Sequence, residues 1–340
     1  MEEKKLDLNS IIGFILIFGI LVYMMYTNQP TPEEVEAQEK AKQEQVEVEQ
    51  KAKIEVDTIV TKSEDFSAAM AKDSTQVVAL NNRLGAFAYA STLPSAVAKE
   101  TLVENDVLAL KFSNKGGYIS EIRLKKFVNY DSIPIYIIKD GNAAFNINFS
   151  TTDNRILNTQ DLFFEPTITT KGDITLVSMK LKVSPTQFLE YRYELKPDDY
   201  MMGFTIQSQG LSDVINNSQD VNLDWRLKTY RHAKSISYEN RYTDLHYEYD
   251  AGKDDYLGQT EDEETIEDVS WIGYKQHFFS SALLTDTPFK SVYLTSENLV
   301  EDEQIDTVFT KAFSSKLPLE LKDGELNASM DWYYGCLLYT

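Results

Sequence analysis

The sequence has few of the residue types from which most metal, redox and disulfide sites are built. Its 340 residues include one cysteine, Cys336, and three histidines, His232, His246 and His277. A single cysteine excludes an intrachain disulfide and a multi-cysteine zinc site. Basic residues are also scarce, with 33 Lys and Arg against 54 Asp and Glu, a net charge of −21. Because nucleic-acid binding needs a basic face, this balance argues against a nucleic-acid partner.

The motifs that place a phosphate, a catalytic metal or a nucleophile are also missing. The sequence contains no G-x-G-x-x-G, G-x-x-x-x-G-K-[ST], H-E-x-x-H or G-x-S-x-G. The pair Gly116-Gly117 lies between two strand-like segments. It therefore predicts a hairpin turn, since a phosphate loop would lead into a helix. The sequence predicts no catalytic, cofactor-binding or metal-binding residue and no cofactor.

One long apolar run stands near the N-terminus. Ile11 to Tyr26 is sixteen residues without a charge, and Leu8 to Ser10 extend it to nineteen. That length can cross a hydrocarbon core roughly 30 Å thick. A cleaved secretory signal is the alternative, but no small-residue cleavage site follows the run. Residues 1–28 are therefore predicted to be an uncleaved transmembrane anchor.

The flanking basic residues orient this anchor. Lys4 and Lys5 precede the run, and the next lysine after it is Lys40. Because cytoplasmic flanks carry the excess of Lys and Arg, the N-terminus is predicted to be cytoplasmic and the bulk of the chain translocated. In a bacterium this makes the chain a single-pass inner-membrane protein with most of its mass in the periplasm.

A charged, low-complexity segment follows the anchor. Pro30 to Asp57 consists mainly of Glu, Lys, Gln, Val and Ala, and its apolar residues form no heptad. This composition predicts a solvated helical or disordered stalk rather than a coiled coil. Thr58 to Ala98 is ambiguous and contains a candidate short helix, Phe66 to Ala71. Residues 29–98 are predicted to be a charged stalk and linker.

From about Glu100 the pattern changes to period-two alternation, which is typical of antiparallel strands with one wet face. The candidate strands are Val107–Ser113, Ile135–Ile138, Phe145–Phe149, Leu176–Val183, Leu189–Leu195, Phe204–Ile206, Val221–Leu227, Ser291–Leu294 and Leu317–Leu321. Many short strands and few helical runs predict a mainly β sandwich over residues 99–335. Val269 to Leu283 is predicted to be one buried strand, with an element crossing the sheets as the alternative.

A dense acidic run interrupts this pattern. Glu248 to Asp268 contains ten acids and one lysine. Calcium binding is one hypothesis, but the spacing of Asp250, Gly252 and Asp254 does not fit the D-x-[DN]-x-[DN]-G loop. A mobile, solvated loop is the favoured interpretation.

The histidines and tryptophans each admit two interpretations. His246, with Asp244 or Glu248 nearby, fits a general acid/base pair, although proximity in sequence does not establish geometry. His277 lies in an apolar run and is predicted to be a core or boundary histidine. Trp225 and Trp271 fit either sugar stacking or packing in the sandwich, and packing is the favoured interpretation.

Several segments in one order resemble a known family. They are residues 1–34 (MEEKKLDLNSIIGFILIFGILVYMMYTNQPTPEE), 101–106 (TLVEND), 113–122 (SNKGGYISEI), Tyr193 with Leu195, Asp199-Tyr200, 271–279 (WIGYKQHFF) and 332–335 (WYYG). Together they resemble the N-terminal half of the YidC/Oxa1/Alb3 family of membrane protein insertases, in its long Bacteroidota-like form. The resemblance covers residues 1–335.

The resemblance implies a fold, a function and partners. The fold is a large antiparallel β-supersandwich, similar to galactose-mutarotase-like domains. The function is insertion and folding of inner-membrane proteins, with or without the Sec translocon, and it is not enzymatic. The partners implied are the lipid bilayer, the translocon components SecD/SecF and SecYEG, and client membrane proteins. The five membrane helices that form the family's polar groove follow this region, so no groove residue can be assigned here.

The C-terminal residues depart from the family's pattern. Residues 336–340 read CLLYT, where the family continues with a proline. We interpret them as an aberrant tail and expect a truncated insertase, an interaction module without insertion activity. The alternative is a membrane-anchored sugar-binding protein or aldose epimerase on the same sandwich. That enzyme would need two histidines and a carboxylate converging in a cleft.

Overall fold

The computed structural model describes residues 74–258 and 262–337. The strands, in chain order, are β1 (Glu100–Glu104), β2 (Leu108–Ser113), β3 (Ile119–Val128), β4 (Pro134–Ile138), β5 (Ala143–Ser150), β6 (Ile156–Asn158), β7 (Glu165–Lys171), β8 (Ile174–Lys182), β9 (Phe188–Leu195), β10 (Met201–Gln209), β11 (Val221–Tyr230), β12 (Asp244–Tyr249), β13 (Lys253–Leu257), β14 (Asp262–Ile266), β15 (Val269–Lys275), β16 (Phe279–Phe289), β17 (Val292–Asn298), β18 (Phe309–Leu319), β19 (Leu321–Lys322) and β20 (Glu325–Cys336). The described residues also form two α-helices, α1 (Ser74–Leu84) and α2 (Ile236–Arg241), and 3-10 helices at Gly85–Thr92 and Thr159–Asp161.

The strands form three sheets, and all their pairings are antiparallel. A four-stranded sheet has the order β1-β2-β3-β4, and a six-stranded sheet has the order β14-β17-β18-β11-β5-β6. The largest sheet has the order β13-β12-β15-β16-β20-β10-β9-β8-β7, with β19 pairing to β20. Aromatic contacts join the two larger sheets, since Trp225 of β11 stacks on Tyr274 of β15 with ring centroids 3.7 Å apart. The mainly β sandwich expected from the sequence is confirmed.

The period-two patterns place the apolar side chains inside, as predicted. In β9, Leu189, Tyr191, Tyr193 and Leu195 are all buried. The same holds for Leu108, Leu110 and Phe112 in β2 and for Phe145, Ile147 and Phe149 in β5. Alternation works here because successive side chains of a strand point to opposite faces of the sheet.

An aromatic core fills the space between the two larger sheets. We use this name for Phe145, Tyr191, Phe204, Trp225, Tyr274 and Trp332. Phe145 contacts the rings of both Tyr191 and Phe204, and Trp225 meets Trp332 edge-on at 4.7 Å. The Tyr274 hydroxyl donates to the Trp225 carbonyl at 2.9 Å, so this buried polar group is satisfied. Trp225 is therefore a packing residue, as the favoured interpretation held.

The region before β1 differs from the predicted linker at residues 29–98. α1 and the 3-10 helix after it bury Leu80, Leu84 and Phe87, and the Phe87 ring lies 5.1 Å from Phe149 of β5. This part of the predicted linker therefore packs on the β domain. Strand alternation could not reveal it, because its buried residues follow a helical spacing. The predicted anchor, the stalk at Pro30–Asp57 and the candidate helix at Phe66–Ala71 lie outside the described residues.

The prediction of one buried strand over Val269–Leu283 is wrong. The segment is a hairpin of β15 and β16, which turns at residues 276–278. In β15 the consecutive residues Ile272, Gly273 and Tyr274 are all buried, so this strand lacks period-two alternation, and this hides the strand break from a period-based reading.

The prediction of a mobile loop over Glu248–Asp268 is also wrong for the described residues. β12 and β13 form a hairpin, and β14 pairs with β17 of the other large sheet. Exposed acids on edge strands explain the sequence pattern, because charge on an edge discourages pairing with another chain.

One further feature concerns the C-terminal end of the β domain, and another concerns its helices. β20 includes Cys336, which is buried and pairs with Phe279, one residue beyond the predicted boundary at 335. Within residues 74–258 and 262–337, no helix is long and apolar enough to cross a membrane.

Candidate functional site

A surface cleft opens beside the Gly116-Gly117 turn. Its volume is about 330 Å³. Tyr118 and Phe145 form its apolar side, and the exposed side chains of Lys115 and Asp161 bring opposite charges to it. A second cavity of about 20 Å³ shares Tyr118 and Phe145 and reaches Trp225 and Trp332 of the aromatic core. That inner space is large enough for one water molecule and too small for a sugar.

The glycine pair determines the shape of this cleft. Both residues have positive φ, 86° and 68°, and they connect β2 to β3 in the predicted hairpin. A Cβ at Gly117 would lie 2.6 Å from the Phe164 ring, so only glycine allows this approach. Gly116 donates its N–H to the Leu162 carbonyl at 2.8 Å. The turn therefore tethers the segment that carries Asp161 to the hairpin.

The cleft offers binding chemistry rather than acid/base chemistry. Burial raises the pKa of the Tyr118 hydroxyl, with a smaller contribution from Glu100, so this group stays protonated at neutral pH. Lys115 and Asp161 are exposed to solvent. An apolar side with polar neighbours suits a small amphipathic ligand.

A second candidate site is a buried polar cluster, by which we mean His232, Glu239, Asp244 and Lys311. Lys311 of β18 is fully buried, and its Nζ lies 3.7 Å from Oδ1 of Asp244 at the start of β12. The other carboxylate oxygen of Asp244 is 3.7 Å from Nζ of Lys275. Burial lowers the pKa of Lys311, and Asp244 partly opposes this effect. The ion pair joins the two large sheets.

Glu239 organises the other half of the polar cluster. It lies in α2, is fully buried, and its Oε2 accepts from the backbone N–H groups of His232 and Ala233, both at 2.6 Å. Burial raises the pKa of this carboxyl, against the effect of the two hydrogen bonds. Ser235 caps the same helix by accepting from the N–H of Tyr238. The carboxylate thus holds the 231–235 segment against α2.

The three histidines do not assemble into a catalytic group. His232 is buried against the edge of the Phe279 ring, and burial lowers its pKa to about 4. His246 stacks on Tyr256, and His277 stacks on Tyr242. In the described part of the chain, no imidazole is hydrogen-bonded to a carboxylate, and Nε2 of His232 and of His246 has no hydrogen-bond partner. The two histidines and an acid that an epimerase requires are therefore not brought together among these residues.

The acidic run forms a third feature, a cleft of about 370 Å³ between the β12–β13 hairpin and β14. Tyr247 lines it and donates its hydroxyl to Glu264 at 2.8 Å. Burial and Glu264 raise the pKa of this tyrosine. Across residues 74–258 and 262–337, no group of three or more His, Cys, Asp or Glu side chains is arranged to hold a metal ion. The calcium hypothesis therefore gains no support from the geometry.

The sequence missed the Lys311–Asp244 pair, although one signal was available. Phe309, Lys311 and Phe313 share one face of β18 by period two, so a lysine stands where the pattern calls for an apolar residue. An inward-facing lysine predicts a buried ionic partner. The partner itself could not be identified, since Asp244 lies far away in sequence and in the other sheet.

Comparisons with known proteins identify the family. The sequence profile described as "YidC periplasmic domain" matches residues 100–336. The chain is 30% identical over 339 residues to the membrane protein insertase YidC of Porphyromonas gingivalis, covering 98% of this chain and 52% of that protein. It is 32% identical over 337 residues to the protein of the same name from Parabacteroides distasonis, covering 97% and 52%.

Some solved structures are similar to part of this chain at low sequence identity. A galactose mutarotase-like protein from Lactobacillus casei is 13% identical with a TM-score of 0.41, covering 70% of this chain and all of that one. Galactose 1-epimerase from Lactobacillus acidophilus is 12% identical with a TM-score of 0.38, covering 70% and 94%. The chain spans about half the length of the curated relatives it matches. By its sequence over residues 100–336, the chain belongs to the family of the YidC periplasmic domain.

Proposed function

We propose that this chain is the anchored, extracytoplasmic part of a membrane protein insertase. Residues 1–28 would be the transmembrane anchor, the charged segment that follows would be a tether, and the β domain would lie in the periplasm. The observation that carries the proposal is the similarity, over nearly the whole chain, to proteins named membrane protein insertase YidC.

The domain would act as an interaction module for insertion rather than as an enzyme. The described sheets supply their own aromatic core, so the domain can present fixed surfaces to partners. By the family resemblance these partners are the Sec components SecD/SecF and SecYEG, and the clients are nascent membrane proteins. The fold would be a galactose-mutarotase-like β-supersandwich, with which the three antiparallel sheets agree.

Residues 1–340 would not perform insertion by themselves. Their single charge-free apolar run, Ile11 to Tyr26, offers one membrane helix, and the backbone of one helix is satisfied internally. One helix cannot enclose a polar groove, so a client's polar segment would still face hydrocarbon, at several kcal/mol for each unpaired group.

Complementation tests this proposal. Full-length insertase is depleted from cells that express residues 1–340, and client insertion is measured directly. We expect growth and insertion to fail while the chain accumulates as a stable membrane-bound protein. Restored insertion would contradict the proposal that residues 1–340 do not perform insertion by themselves. Accumulation in the soluble fraction would contradict the anchor.

A further inference from the structure

β7 lies at one end of the largest sheet, and its outer edge is open. Among the described strands it pairs with β8 alone. Every residue from Thr167 to Lys171 is exposed, including Ile168 at 43%. The free edge of such a strand presents a row of N–H and C=O groups that can pair with another strand.

The turn after β7 determines which backbone groups lie on the open side. Lys171 and Ile174 pair across a two-residue turn, and residues at these positions of a tight turn are hydrogen-bonded to each other. Because hydrogen-bonded and non-hydrogen-bonded pairs alternate along antiparallel strands, the backbone groups of Pro166, Ile168 and Thr170 point away from β8. Pro166 fits this alternation, since proline has no N–H to donate to β8.

Other sheet edges of the described domain carry charges that oppose such pairing. All the charged residues of β1 and β14 are acidic, and β13 contains two adjacent acids. Repeated acids on an edge discourage pairing with another copy of the same strand. β7 instead carries one charge of each sign, Glu165 at its start and Lys171 at its end, with uncharged residues between them.

The sequence of β7 is complementary to itself in the antiparallel direction. In a pair of strands centred on Ile168, Glu165 of each copy lies opposite Lys171 of the other. Thr167 then lies opposite Thr169, and Ile168 meets its counterpart at the centre. Opposite charges, paired threonines and paired β-branched residues are all favourable cross-strand neighbours. Each strand therefore presents to a second copy the residues that this copy requires.

The charges at the two ends of β7 differ in what they contact within one chain. Glu165 forms an ion pair with Lys182 of β8, whereas Lys171 has no ion-pair partner within residues 74–258 and 262–337. A second copy in this register would bring a carboxylate to Lys171.

We propose that two copies of this chain pair through β7, edge to edge, and so join their largest sheets into one antiparallel sheet. Backbone hydrogen bonds would form between the two Ile168 residues and from the N–H of Thr170 to the carbonyl of Pro166. The contact is small, so the dimer is expected to be weak and to form at high local concentration. This pairing requires neither the proposed anchor nor insertion activity.

Disulfide cross-linking of the full chain in mild detergent tests the register. Ile168→Cys places two thiols opposite each other, at the Cα separation of about 5.5 Å that a disulfide can bridge. Thr170→Cys on the same face is the matched control, because its two copies would lie about 13 Å apart along the strands. Cys336 is buried in both variants. We expect at least about tenfold more cross-linked dimer from Ile168→Cys than from Thr170→Cys.

Charge variants of the Ile168→Cys chain test the ends of the strand. Lys171→Glu places like charges opposite each other at both ends and should lower the cross-linked fraction at least about fivefold, and Glu165→Lys should do the same. A mixture of the two charge variants, distinguished by a size tag on one of them, restores opposite charges. Cross-linked heterodimers should therefore exceed both homodimers.

Near-UV circular dichroism first checks that every variant is folded. Folded Ile168→Cys chain that stays monomeric, as expected if an extended segment of another protein occupies this edge, would overturn the proposal. Equal cross-linking of Ile168→Cys and Thr170→Cys would also overturn it, and so would a mixture of charge variants without an excess of heterodimers.

Discussion

The aromatic core and the polar cluster both join the two large sheets, but they do so by opposite means. In the aromatic core, the rings of β5 and β20 meet edge to face, those of β11 and β15 stack, and the buried Tyr274 hydroxyl is hydrogen-bonded. In the polar cluster, Lys311 and Asp244 meet at 3.7 Å, and Nζ of Lys311 has no hydrogen-bond partner among the described residues. Apolar burial stabilises outright, whereas a buried ion pair must first offset desolvation.

The difference indicates that the aromatic core stabilises the fold and that the polar cluster positions the segments around it. The aromatic core contributes packing between the two sheets. The polar cluster includes Glu239 of α2, and its His232 contacts the ring of Phe279, the first residue of β16. Burying the charged residues of the polar cluster costs desolvation energy, so they are expected to position neighbouring segments rather than to stabilise the fold.

The largest effect is expected from removing a ring of the aromatic core. Trp225→Ala deletes the stacking on Tyr274 and the edge contact with Trp332, and it should lower the free energy of unfolding by about 5 kcal/mol. Chemical denaturation of the domain measures this. A loss below about 1 kcal/mol would mean that the aromatic core is not the main source of stability.

Replacing Asp244 and replacing Lys311 should change the stability of the domain by different amounts. Asp244→Asn leaves Lys311 buried without an anion and should cost about 4 kcal/mol. Lys311→Met should change stability by less than about 1 kcal/mol or raise it, because Asp244 keeps Lys275 at 3.7 Å. The two variants are compared by denaturant midpoint at neutral pH. Equal losses of stability in the two variants would contradict this account, because they would show that the ion pair stabilises the fold.

The stability of the domain should depend on pH through His232 of the polar cluster. Burial lowers the pKa of His232 to about 4 in the folded domain, whereas the unfolded chain titrates near 6.5. Between these values the unfolded state binds more protons, so stability falls as the pH drops from 6.5 to 4, by at most about 3 kcal/mol. Glu239 has a raised pKa in the folded domain and acts in the opposite direction between its usual value and that raised value, because there the folded state binds more protons.

The control for this titration is His232→Asn, in which the same pH interval should show a weaker dependence. Unfolding free energies of both proteins are measured across the interval. Identical slopes would contradict the assignment to His232.

The smallest effect is expected at the cap of α2. Ser235→Ala removes the acceptor for the Tyr238 N–H and should cost about 1 kcal/mol. Because the cap lies at the first turn of α2, the change should also increase hydrogen exchange in α2 more than in β9. An equal increase in both segments would show that the cap does not hold the helix.

The sequence predicted the parts of the fold that depend on local spacing. Residues such as Leu189, Tyr191 and Tyr193 alternate regularly, so their strand and its buried face follow from the pleat. The turn at Gly116-Gly117 followed from residue type. The hairpin within Val269–Leu283 did not, because consecutive buried residues such as Ile272, Gly273 and Tyr274 hide the alternation that marks the end of a strand.

The candidate sites were less predictable because they depend on pairs that are distant in sequence. Lys311 and Asp244 are brought together by β18 and β12 of different sheets. Tyr242 of α2 stacks on His277, which lies in a turn that the sequence reading placed inside a strand. The packing of Leu84 and Phe87 beneath the sheets was hidden in a segment whose composition resembled a linker.

The central proposal is that the chain would hold a folded β domain outside the cytoplasm while attached to the inner membrane. Reaction of Asp173→Cys with a membrane-impermeant maleimide tests it most directly, in cells with a permeabilised outer membrane, and Cys336 is buried in the unmodified protein. We predict that the variant is labelled in intact spheroplasts, at the full mass of the chain, and in the membrane fraction. Labelling that requires lysis, or a labelled chain in the soluble fraction, would contradict the account.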